Sequence, residues 1–521
     1  MLKLAQRNST AAILTQTKQL VSIVFRTITS GNFEVETPLN FINGRRKNCL
    51  QTTTQSFTVE EPATGKTLCR MHESGIEDVN KAVNAAQQAQ HDWGEMSGFE
   101  RSKVLQKCAH LLKEKQEDVA RLEVFDTGKP IWEARGDVQT AVDALEYFSG
   151  IASTLCGQHF TLPGGSFGYT RREPLGVVAA IGAWNFPIQM AGWKSAPALA
   201  CGNAVVFKPS EFTPLTAVML GEIYKEAGLP DGLYNVVQGG GQTGNLLSSH
   251  PDIAKVTFTG SVTTGSKVMK TCAGGIKAVT LELGGKSPLI LFDDCDITNA
   301  VNGALLANYL TQGQVCSNGT RVFIQENIFS DVISRLVNRV KAIKYGDPHC
   351  EKTLMGAMIN KKHAEKVLGF ISRAKQQGAE VLCGGKQIVP DNPILHGGSY
   401  ISPCIIKPSD DMEISLEEVF GPVMNVYSFR SEEEVLKRAN DSQFGLASGI
   451  FTKDLNRAHR VAAKIQAGSC YINNYNIYPI EMPFGGYKKS GIGRENGMIT
   501  LEYFTQLKTV YVEGGNVDCP Y

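Results

Sequence analysis

Long apolar runs are absent from this sequence of 521 residues. No stretch of about 18 uninterrupted apolar residues occurs, and the most hydrophobic runs, such as 177–183, have only the length of a strand. The sequence therefore predicts no membrane-spanning helix. An excess of charge of one sign is also absent, because 52 basic side chains stand against 51 acidic ones. This balance argues against a nucleic acid or another polyanion as a partner.

Paired cysteines are absent too. The 13 cysteines are scattered from Cys49 to Cys519, and no two of them have the CxxC spacing. An odd and scattered set of this kind is typical of reduced thiols, rather than of a disulfide framework or a zinc site. We therefore expect a reducing compartment and no bound metal.

The first 32 residues differ from the rest of the chain in charge. They contain Lys and Arg but no acid, and the first acidic residue is Glu34. This composition is typical of a mitochondrial presequence, and it fits an untargeted N-terminal extension equally well. We leave 1–32 out of the fold and expect a cytoplasmic protein, with the mitochondrial matrix as the alternative if the segment directs import.

Length and periodicity predict an α/β protein with more than one domain. Domains usually have about 100–200 residues, so a chain of this length needs two or three of them. Apolar residues recur at spacings of three and four over 77–93, which predicts an amphipathic helix. Short apolar runs then alternate with helical segments, as in βαβ units with a parallel sheet covered on both faces. The predicted strands are 177–183, 204–207, 234–238, 254–258 and 279–283, and in a second series 289–292, 321–325, 423–429, 447–452 and 470–472.

One helix has recognisable ends, and two segments lie outside the strand series. Thr213 is the predicted N-cap of this helix, Pro214 begins its first turn, and Gly228 follows its last residue. The segment 158–172 predicts a hairpin, and the alternating pattern at 508–513 predicts a C-terminal strand that needs an edge to pair with. An isolated strand of this kind suits an oligomer contact.

Three short segments contain residues that could carry out chemistry. Cys316 follows a small polar loop, although most cysteines in such a chain are simply buried apolar residues. Glu282 ends a predicted strand, where doubly wound sheets bind ligands, but it could instead pair with Lys286. Asn185 also follows a strand, and its amide could donate to an oxyanion or merely cap a helix.

In their order along the chain, the segments 184–187, 281–286 and 313–316 resemble motifs of the aldehyde dehydrogenase superfamily. The similarity extends from about residue 33 to the end. It implies a doubly wound Rossmann-like NAD domain, a second α/β catalytic domain and a small β flap for oligomerisation, in a homotetramer built as a dimer of dimers. The implied division is 33–157 and 173–285 for the NAD-binding domain, 286–484 for the catalytic domain, and 158–172 and 498–521 for the oligomerisation strands.

The resemblance also implies a catalytic sequence. Cys316 would be the nucleophile, Asn185 with the Cys316 N–H would form the oxyanion hole, and Glu282 would be the general base. The thiolate adds to the aldehyde, hydride leaves to the nicotinamide, and water hydrolyses the thioester. A carboxylate in a partly apolar tunnel can have its pKa raised enough to accept a proton near neutral pH. The alternative is a CoA-acylating enzyme, in which a thiol resolves the thioester, and the presence of Glu282 argues against it.

The glycine motifs are not standard nucleotide motifs. Gly239, Gly241 and Gly244 satisfy GxGxxG after a strand, yet 259–270 contains no acidic residue for a ribose. The segment 260–267 lacks the Gly-Lys-Ser/Thr order of a P-loop, which argues against nucleotide hydrolysis.

The resemblance assigns NAD to other residues. Lys208 and Glu211 would bind the adenosine ribose, and Ser261 would contact the pyrophosphate at a helix N-terminus. A carboxylate at Glu211 accepts hydrogen bonds from ribose hydroxyls and repels a 2′-phosphate, so NAD is preferred over NADP. The remaining implied cofactor residues are Gly241, Trp184, Glu418 on the second ribose and Phe420 beside the nicotinamide.

Four aromatic residues bear on the substrate, a small-molecule aldehyde. By position they match the tunnel of family members that accept betaine aldehyde and related trimethylammonium aldehydes, since aromatic faces attract cations by roughly 0.5–2 kcal/mol per good ring. Core packing is an equal alternative for each of them. The implied substrate is 4-trimethylaminobutyraldehyde and other aminoaldehydes, with betaine aldehyde or a broad range of aldehydes as the alternative. The four residues are Phe186, Trp193, Tyr478 and Phe484.

Overall fold

A computed structural model describes Val35, residues 39–50 and residues 56–521. The predicted N-terminal extension 1–32 lies outside these residues. No helix in the described part of the chain is long and apolar enough to span a membrane.

The secondary structure of the described residues alternates between strands and helices over most of its length. The strands are β1 (Asn40–Ile42), β2 (Arg45–Lys47), β3 (Ser56–Glu60), β4 (Thr67–His72), β5 (His159–Thr161), β6 (Phe167–Pro174), β7 (Val177–Ile181), β8 (Ala204–Lys208), β9 (Tyr234–Val236), β10 (Lys255–Thr259), β11 (Ala278–Glu282), β12 (Pro288–Leu291), β13 (Arg321–Gln325), β14 (Glu380–Cys383), β15 (Gln387–Ile388), β16 (Tyr400–Ile401), β17 (Cys404–Lys407), β18 (Val423–Phe429), β19 (Ala447–Phe451), β20 (Ser469–Ile472), β21 (Gly491–Ile492) and β22 (Thr505–Val512). The α-helices are α1 (Ile76–Glu95), α2 (Gly98–Glu114), α3 (Gln116–Thr127), α4 (Ile131–Ile151), α5 (Pro187–Ala200), α6 (Leu215–Ala227), α7 (Gly241–Ser249), α8 (Val262–Ala273), α9 (Ile297–Tyr309), α10 (Phe329–Lys341), α11 (Lys361–Gln376), α12 (Glu413–Leu416), α13 (Glu432–Asn440), α14 (Leu455–Lys464) and α15 (Leu501–Phe504).

The first large sheet contains five parallel strands in the order β9-β8-β7-β10-β11. The chain therefore enters the middle of the sheet with β7, builds one half through β8 and β9, and then returns to build the other half. Helix α5 contacts α6, whereas α7 contacts α8, so each half of the sheet has its own helix pair. This topology confirms the predicted doubly wound fold.

The edges of this sheet come from distant parts of the sequence. β1 pairs antiparallel with β9, and β2 extends the sheet beyond β1. At the opposite edge, β21 pairs antiparallel with β11, so that Leu281 lies opposite Ile492 and Glu282 lies opposite Gly491. The chain thus returns to the first sheet after completing the second.

The second large sheet has the order β14-β17-β18-β13-β12-β19-β20. Its strands are parallel except for β14, which pairs antiparallel with β17. Parallel strands need crossover connections, and helices α9, α10, α13 and α14 lie in these connections. The second α/β unit predicted from the sequence is confirmed.

A three-stranded antiparallel sheet joins the predicted hairpin to the C-terminal strand. β5 pairs with β6, and β22 pairs with β6 over its whole length, from Thr505 opposite Pro174 to Val512 opposite Phe167. The C-terminal strand therefore finds its edge within the same chain.

The helix after β8 begins later than predicted. Its N-cap is Pro214 rather than Thr213, and its first residue is Leu215. The N–H of Leu215 donates to the Asp126 carboxylate at 2.9 Å, so a side chain from α3 supplies the acceptor that Thr213 was expected to provide. The predicted end is correct, because Gly228 follows the helix with φ +97°.

Replacing Gly228 by Ala should destabilise the protein by about 1–2 kcal/mol, because a Cβ is disfavoured in the left-handed conformation. A Cβ there would meet nothing within 4 Å, so the effect isolates the backbone cost. Gly274→Ala is the matched control, since Gly274 ends α8 with φ −61°. The urea-unfolding midpoint measures both variants, and an equal change in the two would contradict the expectation.

Candidate active site

The parallel strands of the first sheet all have their carboxyl ends on the same side of the sheet, which we call the carboxyl edge. β8 ends at Lys208, and β11 ends at Glu282. Asn185 follows β7, and Ser261 follows β10. Open α/β sheets bind ligands outside this edge, so these residues lie where a site is expected.

A cleft of about 550 Å³ opens at this edge. Five of the seven residues predicted to bind a cofactor line it, namely Trp184, Lys208, Glu211, Gly241 and Ser261. The Lys208 ammonium donates to the carbonyls of Pro209 at 2.7 Å and Gly239 at 2.6 Å, and burial lowers its pKa. The predicted cofactor residues therefore converge, except for Glu418 and Phe420, which lie outside the cleft lining.

The cleft has the features that a dinucleotide requires. Helix α8 begins directly after Ser261, whose side chain caps it by accepting from the Thr264 N–H at 3.3 Å. The N–H groups of a helix N-terminus attract phosphate. A Cβ at Gly241 would meet nothing within 4 Å, so the backbone there is open to a ligand.

One carboxylate that shapes the cleft was not identified from the sequence. Glu73 accepts hydrogen bonds from the N–H groups of Gly240 at 3.0 Å and Thr243 at 3.3 Å. It fixes the glycine-rich turn that leads into α7. No local pattern could have revealed it, because Glu73 lies about 170 residues before the turn it holds.

Glu418 lies near Cys316, and Phe420 lies against Trp184 of the cleft. Glu418 is half-buried and accepts the Gly285 N–H at 3.1 Å, and its partial burial raises its pKa to about 7. The Phe420 ring meets Trp184 edge-on, with centroids 5.2 Å apart. Burial lowers the pKa of His363 to about 4, so its neutral ring donates from Nε2 to the Phe420 carbonyl at 2.7 Å.

A strained backbone segment precedes Cys316. Thr311, Gln312 and Gly313 are consecutive left-handed residues with φ of 49°, 56° and 74°. Both Thr311 donors, its N–H and its hydroxyl, contact Oε2 of Glu133 at 2.9 Å. A Cβ at Gly313 would lie 2.1 Å from the Gly421 carbonyl oxygen, so only glycine fits there. Tertiary contacts thus compensate for a conformation that is unfavourable for Thr and Gln.

The Cys316 thiol lies in an environment that disfavours its ionisation. Burial, together with the charges of Glu418 and Glu282, raises its pKa to about 12. The backbone N–H groups of Ser317 and Cys316 act in the opposite direction. The thiol is therefore neutral in the protein alone, and both carboxylates lie close enough to affect it.

The Asn185 amide lies against the same loop. Its Nδ2 donates to the Gln314 carbonyl at 2.8 Å, two residues before Cys316. The backbone carbonyl of Asn185 accepts from the Lys129 ammonium at 2.7 Å. The N-cap of the following helix is Phe186, so Asn185 does not have the alternative role of a helix cap.

Glu282 is buried without a hydrogen-bond partner on either carboxylate oxygen among the described residues. The alternative pairing with Lys286 is therefore not formed. Burial raises the pKa of Glu282 well above its usual value, Glu495 adds to this, and Lys194 and Arg494 oppose it. A Cβ at Gly485 would lie 2.8 Å from both Oε1 of Glu282 and the backbone oxygen of Gly493, so glycine is needed beside Glu282.

A buried ion pair behind Glu282 was also not identified from the sequence. The Lys194 ammonium contacts the Glu495 carboxylate, which also accepts from the Thr257 hydroxyl at 3.1 Å. Glu495 lies in the segment that returns to the first sheet near β21. Its position beside Glu282 depends on that return and on no local sequence feature.

Three of the four predicted aromatic residues form a cluster. Trp193, Tyr478 and Phe484 meet edge-to-face, with ring centroids 5.5–6.4 Å apart. The Tyr478 hydroxyl contacts Ser317, next to Cys316. Phe186 lies apart from this cluster, where it packs with Val315 and has its ring 4.2 Å from the Lys129 ammonium.

Sequence comparison assigns nearly the whole chain to one family. The model of the aldehyde dehydrogenase family matches residues 50–510. The 4-trimethylaminobutyraldehyde dehydrogenase A of Danio rerio is 58% identical over 495 residues, which cover 95% of this chain and 97% of that protein. The 4-trimethylaminobutyraldehyde dehydrogenase of Homo sapiens is 56% identical over 497 residues, which cover 95% of this chain and 100% of that protein.

Solved structures agree with the sequence comparison. The betaine aldehyde dehydrogenase of Staphylococcus aureus in complex with NAD+ superposes with a TM-score of 0.90 at 36% identity, covering 96% of this chain and 99% of that one. The NAD+ complex of an aldehyde dehydrogenase from Bacillus cereus superposes with a TM-score of 0.89 at 40% identity, covering 92% of this chain and 97% of that one. Motifs, fold and comparisons together establish that this chain belongs to the aldehyde dehydrogenase family.

Proposed function

We propose that this aldehyde dehydrogenase oxidises 4-trimethylaminobutyraldehyde to 4-trimethylammoniobutanoate, a step of carnitine synthesis, with NAD+ as the hydride acceptor. The aromatic cluster of Trp193, Tyr478 and Phe484 beside Ser317 is the observation that carries the substrate assignment. A cluster of three aromatic rings near Cys316 suits a trimethylammonium group, which is attracted to aromatic faces and offers no hydrogen bond. The relatives at 56–58% identity carry the name of the same activity.

NAD+ would bind in the cleft at the carboxyl ends of the parallel strands. Ser261 and the N-terminus of α8 would hold the pyrophosphate, and Lys208 and Glu211 would hold the adenosine ribose. Glu211 also disfavours a 2′-phosphate. Glu418 and Phe420 hold the nicotinamide half, because Phe420 meets Trp184 at the cleft and Glu418 lies beside Cys316.

The reaction begins at Cys316. The thiol first releases its proton to water, and the resulting thiolate adds to the aldehyde carbon. The Asn185 amide with the Cys316 N–H stabilises the oxyanion that forms. NAD+, when bound, accepts the hydride that the tetrahedral adduct loses, which leaves a thioester on Cys316. The ionised form of Glu282 accepts a proton from the water that hydrolyses the thioester, and the raised pKa of this group makes its carboxylate a stronger base.

The assembly, the domain limits and the compartment are further parts of this proposal. A homotetramer is supported by the sheet of β5, β6 and β22, whose exposed apolar residues include Leu507, Tyr511 and Phe160. The domain limits given above are part of the proposal, and the two large sheets support them, except that β21 at 491–492 joins the first sheet. A reducing cytoplasm is supported by the free cysteines of the described residues.

Replacing Cys316 by Ala should abolish NADH formation and leave NAD+ binding unchanged, because the variant loses the nucleophile but no group of the cleft. NADH absorbance measures the first quantity, and calorimetric titration with NAD+ measures the second. Cys350→Ala is the control, since this exposed cysteine lies away from the cleft. Turnover by the Cys316 variant would overturn its role.

Replacing Glu282 by Gln should give a burst of one NADH per site, followed by steady-state turnover that is slower by about 10²–10⁴-fold. Hydride transfer precedes the hydrolysis that Glu282 assists, so only hydrolysis of the thioester is slowed. Stopped-flow absorbance resolves the two phases. Unchanged steady-state kinetics would remove Glu282 as the base, and loss of the burst would place it in the earlier step.

The aromatic cluster should favour a cationic aldehyde over a neutral one of the same shape. We expect kcat/KM for 4-trimethylaminobutyraldehyde to exceed that for 5,5-dimethylhexanal, which replaces the nitrogen by carbon. Trp193→Leu should reduce this ratio by about 2- to 30-fold, the equivalent of about 0.5–2 kcal/mol for one ring. Equal values for the two aldehydes in the native enzyme would refute the substrate assignment.

A further inference from the structure

Two hydroxyl groups meet next to the nucleophile and join loops that are far apart in the chain. The Ser317 hydroxyl contacts the Tyr478 hydroxyl, and Ser317 directly follows Cys316. Ser317 is only 1% exposed, whereas Tyr478 is half-buried in the aromatic cluster. The proposed reaction makes no use of this contact, so its role has to be sought elsewhere.

The amide of Asn476 completes a triangle with these two hydroxyls. Its Oδ1 accepts from the Ser317 hydroxyl at 3.1 Å and from the Tyr478 hydroxyl at 2.6 Å. The two hydroxyls supply one proton each to the three contacts, so the Tyr478 hydroxyl has both Ser317 and Asn476 as partners. Without the Ser317 hydroxyl it keeps only the amide.

The orientation of the Asn476 amide is fixed independently of Tyr478. Its Nδ2 donates to the Leu306 carbonyl at 3.2 Å and to Oδ1 of Asn318 at 2.9 Å. A backbone carbonyl can only accept, so the amide nitrogen faces Leu306 and the amide oxygen faces the two hydroxyls. Asn476 also has φ +52°, a conformation that Asn tolerates better than most residues. The acceptor in the triangle is therefore held in place.

Packing between the rings defines the position of Tyr478 less sharply. Its ring meets Trp193, Phe484 and Tyr471 edge-on, with centroids 5.5–6.4 Å apart. Aromatic pairs are favourable over centroid distances of about 4.5–7 Å, so these contacts allow the ring to shift. A hydroxyl bonded to two fixed partners allows much less movement, because hydrogen bonds weaken steeply outside a narrow range of geometry.

We propose that Ser317 is a positioning residue for the substrate: with Asn476 it holds the Tyr478 ring where this ring attracts the trimethylammonium group, and so it sets the preference for a cationic aldehyde. This inference rests on the proposed function. A cation is attracted to a ring only within about 6 Å of the centroid. A small shift of the Tyr478 ring therefore weakens the attraction and leaves the thiol of Cys316 unchanged.

The test compares kcat/KM for 4-trimethylaminobutyraldehyde with kcat/KM for 5,5-dimethylhexanal. Ser317→Ala should lower the preference for the cationic aldehyde by about two- to fivefold, a part of what one ring contributes. The loss should appear as a higher KM for the cationic aldehyde with kcat unchanged, which is the sign of a lost binding interaction. The neutral aldehyde should keep its kcat/KM, and the melting temperature confirms that the variant is folded.

A second variant identifies the contact that is responsible. Tyr478→Phe keeps the ring and removes its hydroxyl, so it should also lower the preference. In the Tyr478→Phe background, Ser317→Ala should have no further effect, because the contact that it removes is already absent. Tyr427→Phe is the matched control, since it removes a buried hydroxyl contact with Ser415, at 2.7 Å, outside the aromatic cluster. Effects that multiply in the double variant would refute the hydroxyl contact as the cause.

Tetramethylammonium chloride tests the same cluster without chemistry at Cys316. We expect it to inhibit competitively with the aldehyde, and its inhibition constant should rise by about two- to fivefold in Ser317→Ala, as the preference falls. The Tyr427→Phe control should keep the native inhibition constant. An inhibition constant that is the same in Ser317→Ala and in the native enzyme would overturn the inference.

The failure of this inference is distinguishable from the failure of the proposed function. Equal kcat/KM for the two aldehydes in the native enzyme would refute the proposed substrate. A native preference that persists in Ser317→Ala would instead refute only the role of Ser317. An equal fall in kcat/KM for both aldehydes would do the same, because it would show that Ser317 supports the nucleophile loop rather than Tyr478.

Discussion

The site depends on one constraint, the parallel alignment of the central strands of the first sheet. Parallel strands bring their carboxyl ends to the same edge, so residues that follow β7, β8, β10 and β11 meet although they lie far apart in the sequence. Asn185, Lys208, Ser261 and Glu282 all lie at such ends. The second α/β unit supplies the loop that carries Cys316, together with Glu418 and Phe420. Without the alignment, neither the cleft nor its relation to the thiol would exist.

Several carboxyl groups are withdrawn from water near the loop that carries Cys316. Glu133, Glu282 and Glu418 all have raised pKa values because burial removes them from water, and the Cys316 thiol is affected in the same way. Burying carboxylates costs stability, so their concentration around one loop is unlike an ordinary core. Each of these carboxyl groups acts in a different way on the loop from Thr311 to Cys316. Glu133 holds its first residue, whereas Glu282 and Glu418 act on the thiol through their charge.

Much of the fold could be read from the sequence, since most predicted strands agree with the structure within one or two residues and β13 and β18 agree fully. Apolar runs and glycine caps are local features, and they determine where elements begin and end. Thr213 shows the limit of this reading. A carboxylate from α3 replaced the local cap, and no pattern near Thr213 could indicate this.

The sequence by itself determined the fold class, the family and the candidates for nucleophile, base and cofactor ligands, because these are carried by contiguous motifs. Only the tertiary structure decided which aromatic residues cluster, and it separated Phe186 from the other three. It alone placed Glu73 at the glycine-rich turn, Glu495 behind Glu282 and Glu133 beneath Thr311. These contacts join residues far apart in the chain, and their formation depends on packing between elements rather than on any local preference.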